Sequence, residues 1–75
     1  RHLSSKESDL LLLLCRHMGN VVDKHHILTS IWKEDNAFTA RSLSVYINHL
    51  RHFITPAGYT IIAARGKGYK LICNN

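Results

Sequence analysis

The clearest chemistry in this sequence belongs to a run of polar and basic side chains between positions 41 and 52. At about 100° per residue a helix would place seven side chains in one outward arc, namely Arg41, Ser44, Val45, Asn48, His49, Arg51 and His52. We expect the two arginines to meet phosphates on the two sides of a groove. Ser44, Asn48 and His49 can hydrogen bond with base edges, and Val45 can contact a thymine methyl. The pattern favours a helix that reads the major groove of duplex DNA over a merely solvated face with one exposed valine.

A second basic feature is the tetrapeptide Arg65-Gly66-Lys67-Gly68, which stands between two β-rich runs. Its two glycines favour a tight turn, so the sequence predicts a hairpin with Arg65 and Lys67 at the tip. These cations would enter a minor groove or clamp its phosphates, because a narrow groove concentrates negative potential. A turn that is only solvated is the alternative. A nucleotide-binding loop is excluded, since no helix follows the run.

The six histidines do not have the spacing of a metal site. Adjacent His25 and His26 would point about 100° apart on a helix. His49 and His52 share a helix face, but no third ligand is in view. No carboxylate pair, activated nucleophile or Cys–His arrangement is present either. We therefore expect no enzyme activity, no metal and no cofactor.

The distribution of charge indicates a polyanionic partner. The chain has 75 residues and a net charge of +5, from ten Lys and Arg against five Asp and Glu. Residues 1–35 are balanced, and residues 36–75 carry the whole excess and no acidic residue. Such an asymmetry is typical of proteins that bind nucleic acid or an anionic membrane surface.

Length and composition limit the class of protein. Seventy-five residues allow one domain, so we take residues 1–75 as a single unit. Because the chain begins with Arg rather than Met, we expect it to be an excised domain or the ordered part of one. The apolar run 10–15 is far shorter than the roughly 20 residues that span a bilayer, and we expect no membrane partner. Two cysteines, Cys15 and Cys73, do not make a disulfide framework, which favours the reducing cytoplasm.

Three helices must position these side chains. Ser4 and Glu7 have the spacing of a capping box, which predicts a first helix from residue 5 to residue 17 or 18, ended by Gly19. Asp23 is the expected N-cap of a second helix, which the polar residues 33–36 end.

The third helix has the cleanest pattern. Thr39 is its expected N-cap, and Pro56 ends it at about Ile54. One face is apolar at helical spacing and is expected to be buried, namely Leu43, Tyr46, Ile47, Leu50, Phe53 and Ile54. Residues 59–64 and 69–73 are β-rich and form the arms of the predicted hairpin.

Three stretches of the sequence together resemble the C-terminal winged-helix domain of OmpR/PhoB-type response regulators. They are Ile31-Trp32, then T-A-R-S-L-S-V-Y-I-N-H-L-R at residues 39–51, then A-R-G-K-G-Y-K-L at residues 64–71. The family pattern is a W, then R-T-V-D-V-H-I-x-x-L-R, then V-R-G-x-G-Y-R. Residues 3–7 also resemble the L-T-x-x-E opening of the family's first helix. The resemblance covers essentially the whole chain, and the combined spacing is specific.

The resemblance implies an α+β fold, a winged helix-turn-helix with three helices followed by a C-terminal β-hairpin wing. It also implies the output domain of a bacterial two-component system, which binds double-stranded DNA and regulates transcription. Residues 40–54 would be the recognition helix and residues 65–69 the wing. Bases would be touched by Val45, Asn48 and His49. The phosphate backbone would be met or supported by Trp32, Arg41, Tyr46 and Arg51. The wing would bind DNA through Arg65, Lys67 and Tyr69.

The resemblance implies further partners. In the family, the segment that corresponds to residues 33–38 can contact RNA polymerase, and its acidic residues would repel DNA. The residues expected to face polymerase are Lys33, Glu34, Asp35 and Asn36. Family members bind tandem half-sites as dimers, so we expect a dimer at full length and a monomer for this chain alone.

Departures from the family pattern refine these expectations. Ser44 stands where the family has Asp, and Asn48 and His49 stand where Arg is common. Because Asn pairs well with adenine and Val45 favours thymine, we predict A/T-leaning half-sites. The family's N-terminal antiparallel sheet is largely missing, since only residues 1–3 remain of it.

Three alternatives stay open. The chain can be a winged-helix module whose basic face meets an acidic protein, or a membrane-anchored winged-helix regulator. An RNA-binding domain is the third, although no aromatic stacking platform is apparent. Duplex DNA is favoured because the charge is divided between a groove-sized helix and a two-glycine turn.

Overall fold

The computed structural model describes residues 4–74, which form three α-helices and one three-stranded antiparallel sheet. The elements are α1 Ser5–Arg16, β1 Val21–Asp23, α2 Lys24–Ile31, α3 Ala37–Ile54, β2 Tyr59–Ala64 and β3 Gly68–Cys73. A 3-10 turn, Thr55–Ala57, carries Pro56 between α3 and β2. The expected α+β class and the order of three helices before a hairpin are confirmed. Residues 1–3, where the remnant of an N-terminal sheet was expected, lie outside the described residues.

The predicted starts of the first two helices are confirmed. The Ser4 hydroxyl accepts from the Glu7 amide at 3.2 Å, and the Glu7 carboxylate accepts from the Ser4 amide at 2.9 Å. This reciprocal box satisfies amides that the first turn would leave without partners. The Asp23 carboxylate caps α2 by accepting from the His26 amide at 3.2 Å.

The third helix begins earlier than the pattern predicted. Asn36, and not Thr39, is its N-cap: the Asn36 side chain accepts from the Thr39 amide at 2.9 Å. The Thr39 hydroxyl accepts from the Asn36 amide at 3.0 Å and is buried. The two side chains thus form a capping box in which Thr39 is the third helical residue. The helix that the resemblance assigns to recognition therefore spans Ala37–Ile54 instead of residues 40–54.

A third strand was missed by sequence reasoning. β1 pairs antiparallel with β3, so the strand order is β1-β3-β2 and the predicted hairpin has a neighbour on one edge. β1 contributes only three residues, too few for a period-two pattern. Gly68 permits the pairing, since a Cβ on it would lie 1.9 Å from the Val22 carbonyl oxygen.

The core lies between the helices and one face of the sheet, and every helix and strand contributes to it. Its buried apolar side chains are Leu10, Leu14, Val22, Ile27, Leu28, Leu43, Ile47, Leu50, Ile54, Ile61 and Leu71. Four of the six apolar positions expected to be buried on α3 are buried, and Tyr46 is half-buried. The expectation for Phe53 is wrong: its side chain is 45% exposed, because it lies at the margin of the apolar stripe.

Candidate nucleic-acid interface

The outward arc of α3 faces solvent as the sequence pattern predicted. Six of its seven side chains are exposed, and the seventh, Arg51, is half-buried; the six are Arg41, Ser44, Val45, Asn48, His49 and His52. Val45 is 56% exposed in the middle of this polar surface. Opposite it, Leu43 and Leu50 are fully buried and hold the helix on the core. The helix is therefore anchored along one side and free along the side that carries the candidate DNA contacts.

The two arginines of α3 do not lie on opposite edges of the arc. At 3.6 residues per turn they are about 80° apart, with Arg41 near the centre of the arc. Arg51 lies at the edge next to the sheet, where its Nε donates to the Ile61 carbonyl oxygen at 3.3 Å. We expected one arginine at each edge of the arc. The structure places an arginine, Arg51, only at the edge next to the sheet.

His49 lies at the other edge of the arc and is held by a buried carboxylate. Its Nδ1 is 2.5 Å from Glu7 Oε2, and Glu7 is only 6% exposed. Because an ionised carboxylate only accepts hydrogen bonds, Nδ1 carries a proton and Nε2 remains for a ligand. Nε2 accepts when the imidazole is neutral and donates when it is charged. From the sequence we predicted only a capping role for Glu7. Its contact with His49 was missed because no local pattern connects residues 42 positions apart.

The environment of Glu7 favours its charged form. The hydrogen bond from the Ser4 backbone amide, followed by the one from His49, lowers the pKa of the Glu7 carboxyl below its usual value, against an opposing effect of burial. The carboxylate therefore stays ionised at neutral pH, which is the state that orients the imidazole.

The Ser44 hydroxyl oxygen is available as a hydrogen-bond acceptor. Its hydroxyl donates to the Ala40 carbonyl oxygen within α3 at 3.4 Å, so the oxygen lone pairs face outward as acceptors. Such an acceptor suits the amino group of adenine or cytosine.

An aromatic edge runs beside His49 on the α1 and α2 side of α3. The rings of Trp32, at the end of α2, and Tyr46, on α3, lie 5.2 Å apart between centroids, with both side chains half-buried. Lys6 of α1 reaches the same place: its Nζ donates to the Ile31 carbonyl oxygen at 3.3 Å and lies 6.0 Å from the Trp32 ring centroid. Lys6 was not among the sequence-predicted site residues, since nothing in the first helix's own pattern distinguishes it.

The turn between β2 and β3 forms the predicted basic tip. Arg65, Gly66 and Lys67 are exposed, and Gly66 has φ +73°. The turn is braced at its base, because the Lys67 amide donates to Ala64 O at 2.9 Å and the Lys67 carbonyl accepts from the Lys24 amide at 2.8 Å. Tyr69 follows on β3 opposite Val22 and Ala63 and is half-buried. The two cations are therefore presented from an anchored turn.

The loop before α3 has its own anchors. Lys33 adopts a left-handed conformation with φ +66°, and Asp35 Oδ2 lies 2.6 Å from His25 Nδ1 on α2. Thr39 donates to the Glu34 carbonyl oxygen at 3.1 Å. Residues 33–36 are all exposed, and the helix that follows presents Phe38 with 77% of its side chain exposed. The segment expected to face polymerase is thus a loop held by contacts with α2 and α3. Its last two residues, 37 and 38, belong to α3.

Within residues 4–74, no three His, Cys, Asp or Glu side chains are grouped as a metal site would need. Among the helices that the structure describes, none has the length and apolarity to cross a bilayer.

Comparisons with known proteins match nearly the whole chain. The family described as "Transcriptional regulatory protein, C terminal" matches residues 1–71. The transcriptional regulatory protein RprY of Bacteroides fragilis is 48% identical over 71 residues, which is 93% of this chain and 30% of RprY. The alkaline phosphatase synthesis transcriptional regulatory protein PhoP of Bacillus subtilis is 42% identical over 72 residues, 92% of this chain and 30% of PhoP. The chain thus spans about a third of these relatives.

A solved structure extends the agreement to the fold. The crystal structure of the DNA-binding domain of Bacillus subtilis CssR superposes with a TM-score of 0.77 at 31% sequence identity. The superposition covers 93% of this chain and 77% of the CssR chain.

Proposed function

This chain belongs to the family of C-terminal DNA-binding domains of OmpR/PhoB-type transcriptional regulators, and from that premise we propose how it binds DNA: α3 lies in the major groove and the β2–β3 turn lies on the adjacent minor groove. The family consists of DNA-binding regulators of transcription and is not an enzyme family. The observation that carries the proposal is the outward arc of α3, which joins cationic, hydrogen-bonding and one aliphatic side chain on a helix anchored to the core by its opposite side.

Base readout rests on the middle and one edge of the arc. Asn48 is exposed and suits the bidentate pairing with adenine, and Val45 suits a thymine methyl. His49 is held by Glu7 through Nδ1, which leaves Nε2 for a base, so its contribution depends on that support. Ser44 and His52 flank these residues. Together they favour A/T-leaning half-sites.

Phosphate contacts come from a second set of side chains. We assign them to Arg41, Arg51, Trp32 and Tyr69, with Arg65 and Lys67 at the minor groove. With about four to six phosphates contacted, the affinity should fall with salt at a log–log slope of about −4 to −5. Residues 36–75 carry no carboxylate side chain that would oppose this field.

The test combines selection with salt titration. Duplexes that bind the chain are selected from random double-stranded DNA, and affinity for the recovered duplex is measured by fluorescence anisotropy between 50 and 200 mM salt. Arg65→Gln should reduce the slope by about 1, whereas Asn48→Ala should cost about 1–3 kcal/mol on the selected duplex and relax the preference at one base pair. Arg16→Gln, which removes one charge near the end of α1, is the matched control. Binding that is absent or insensitive to salt would favour the protein-interaction module instead, and G/C-rich selected sites would refute the A/T readout alone.

The loop 33–36 is assigned to a protein partner, which we propose is RNA polymerase. Its exposed carboxylates Glu34 and Asp35 would repel DNA, and Asp35 also contacts His25 of α2. Glu34→Lys should reduce transcription in a reconstituted assay and leave duplex affinity unchanged or slightly raised. Loss of duplex binding in this variant would contradict the assignment.

The length of the relatives supports a place for this domain within a longer protein. We propose that residues 1–75 are one winged-helix domain at the C-terminal end of a longer cytoplasmic response regulator. Dimerisation on tandem half-sites would then require the rest of the protein, and this chain alone would be monomeric. Sedimentation of the chain and of the full-length protein on a duplex with two half-sites tests this arrangement.

A further inference from the structure

The two edges of the α3 arc are not equally charged. The sheet edge has Arg51 and, beyond it, the cations of the β2–β3 turn. On the opposite edge α3 supplies His49 and Tyr46 and no Lys or Arg. Trp32, the residue after α2, packs against Tyr46 there. A helix in a major groove about 12 Å wide has a phosphate backbone beside each edge. One of the two backbones would therefore lack a permanently charged partner from α3.

The first turn of α1 lies beside this second edge of the arc. The Glu7 carboxylate reaches α3 and binds His49 at 2.5 Å, which places the turn directly beside the arc. Lys6, the preceding residue, extends toward the end of α2, where its Nζ is bound by the Ile31 carbonyl oxygen and lies 6.0 Å from the Trp32 ring centroid. The side chain is exposed. Its ammonium group is thus held beside Trp32, while the next residue, Glu7, binds His49.

The charge of Lys6 is not neutralised within residues 4–74. The neighbouring Glu7 carboxylate is buried and bound to the Ser4 amide and to His49. The ion pairs of the described residues are His25–Asp35 and His49–Glu7, and neither includes Lys6. An ammonium has three N–H donors, and the Ile31 carbonyl engages one of them. Two donors and a full positive charge remain for an anion.

We propose that Lys6 binds a DNA phosphate on the α1 and α2 side of the recognition helix, across the major groove from the backbone that Arg51 faces. The proposal rests on the placement of α3 in the major groove. It extends the interface to the first helix, which belongs to the half of the sequence with no net charge. Phosphate binding is the role that fits, because a single flexible ammonium supplies charge without the two-pronged geometry of base recognition.

Three variants of the chain test the proposal by fluorescence anisotropy on the selected duplex. Lys6→Gln should make the salt slope shallower by about 0.9, so that the wild-type chain loses about 3.5-fold more affinity than the variant between 50 and 200 mM salt. Lys6→Arg should keep the wild-type slope. Arg16→Gln, which removes the same charge from the same helix about 15 Å further along, should also keep it. Thermal unfolding followed by circular dichroism verifies that all three variants fold.

A modified duplex locates the contact. Replacing single phosphates by neutral methylphosphonates should identify one position, beside the half-site, at which neutralisation weakens the wild-type chain and has no further effect on Lys6→Gln. The inference is overturned if Lys6→Gln binds like wild type while Arg41→Gln and Arg65→Gln have shallower slopes, and the proposed function then stands. It is also overturned if Arg16→Gln matches Lys6→Gln, or if Lys6→Gln alters base preference rather than the salt slope. If none of the basic variants changes the slope, the proposed function itself fails.

Discussion

The hydrogen bond between Glu7 and His49 should contribute to the free energy of unfolding, and this prediction can be tested without DNA. Glu7→Gln keeps an oxygen that can accept from the Ser4 amide but removes the negative charge that holds His49 Nδ1. Hydrogen bonds to charged groups contribute about 1.5–3 kcal/mol and neutral ones about 0.5–1.5 kcal/mol. Because the His49 side chain is 58% exposed, solvent screens the pair, and we expect a loss near the lower end of the difference, about 1 kcal/mol at pH 7. In a domain of this size the melting temperature would fall by about 4–8 °C.

The pH dependence of this loss has a definite sign. The pKa of Glu7 is lowered in the folded chain, chiefly by the hydrogen bond from the Ser4 amide and then by the one from His49. A carboxyl with a lowered pKa stabilises the fold above its unfolded pKa, and that stabilisation is lost as pH falls through the folded value. The advantage of wild type over Glu7→Gln should therefore be complete above the ordinary value of 4.5 and shrink as the pH is lowered toward 3.

The assay is urea unfolding of both proteins between pH 7 and pH 3, with the free energy of unfolding extrapolated to water. Asp9→Asn is the matched control, since Asp9 is an exposed carboxylate on the same helix, outside the ion pairs of the described residues. It should change the free energy by less than about 0.5 kcal/mol. Equal effects of the two substitutions at pH 7 would refute the reasoning, as would a loss in Glu7→Gln that persists undiminished at pH 3.

Three further predictions concern folding and are checked by the same unfolding assay with wild type as reference. Gly68→Ala should lower the free energy of unfolding by about 3 kcal/mol, because the new Cβ would lie 1.9 Å from a β1 carbonyl oxygen. Gly66→Ala, which is in open space with φ +73°, should lower it by about 1 kcal/mol. Equal losses would show that β1 does not pack closely against Gly68. Leu50→Ala removes a fully buried side chain and should lower the free energy of unfolding by about 2–5 kcal/mol. Phe53→Ala, at a position that is 45% exposed, should lower it by about 1 kcal/mol. A larger loss for Phe53→Ala would contradict the placement of the apolar stripe. Asn36→Ala should cost about 1 kcal/mol through loss of the α3 cap, and an unaffected stability would indicate that the helix starts elsewhere.

Local patterns predicted most of the helical architecture. The S-x-x-E box set the start of α1, Asp23 capped α2, and the apolar spacing of α3 separated the core side, with Leu43 and Leu50, from the outward arc. These predictions succeeded because the interactions join residues three or four positions apart, and such spacings are visible in the sequence.

Local patterns failed where two signals competed or where the element was too short. Both Asn36 and Thr39 are good cap residues, and only the reciprocal hydrogen bonds decide that Asn36 is the cap. β1 is too short to show alternation and exists because β3 offers a free edge and Gly68 allows close approach. Phe53 lies at the margin of a helical stripe, where spacing alone does not determine burial.

The sequence by itself determined the family, the three helices, the hairpin and the arc of α3 that carries the candidate DNA contacts, because all of these depend on residues close in the chain or on a specific motif spacing. Only the tertiary structure decided which side chains support that arc. Glu7 meets His49 across 42 positions, and Lys6 meets the end of α2 across 25. Contacts at such separations arise from the packing of α1 against α2 and α3. They bring the charge of Lys6, a residue from the balanced half of the chain, to one side of α3.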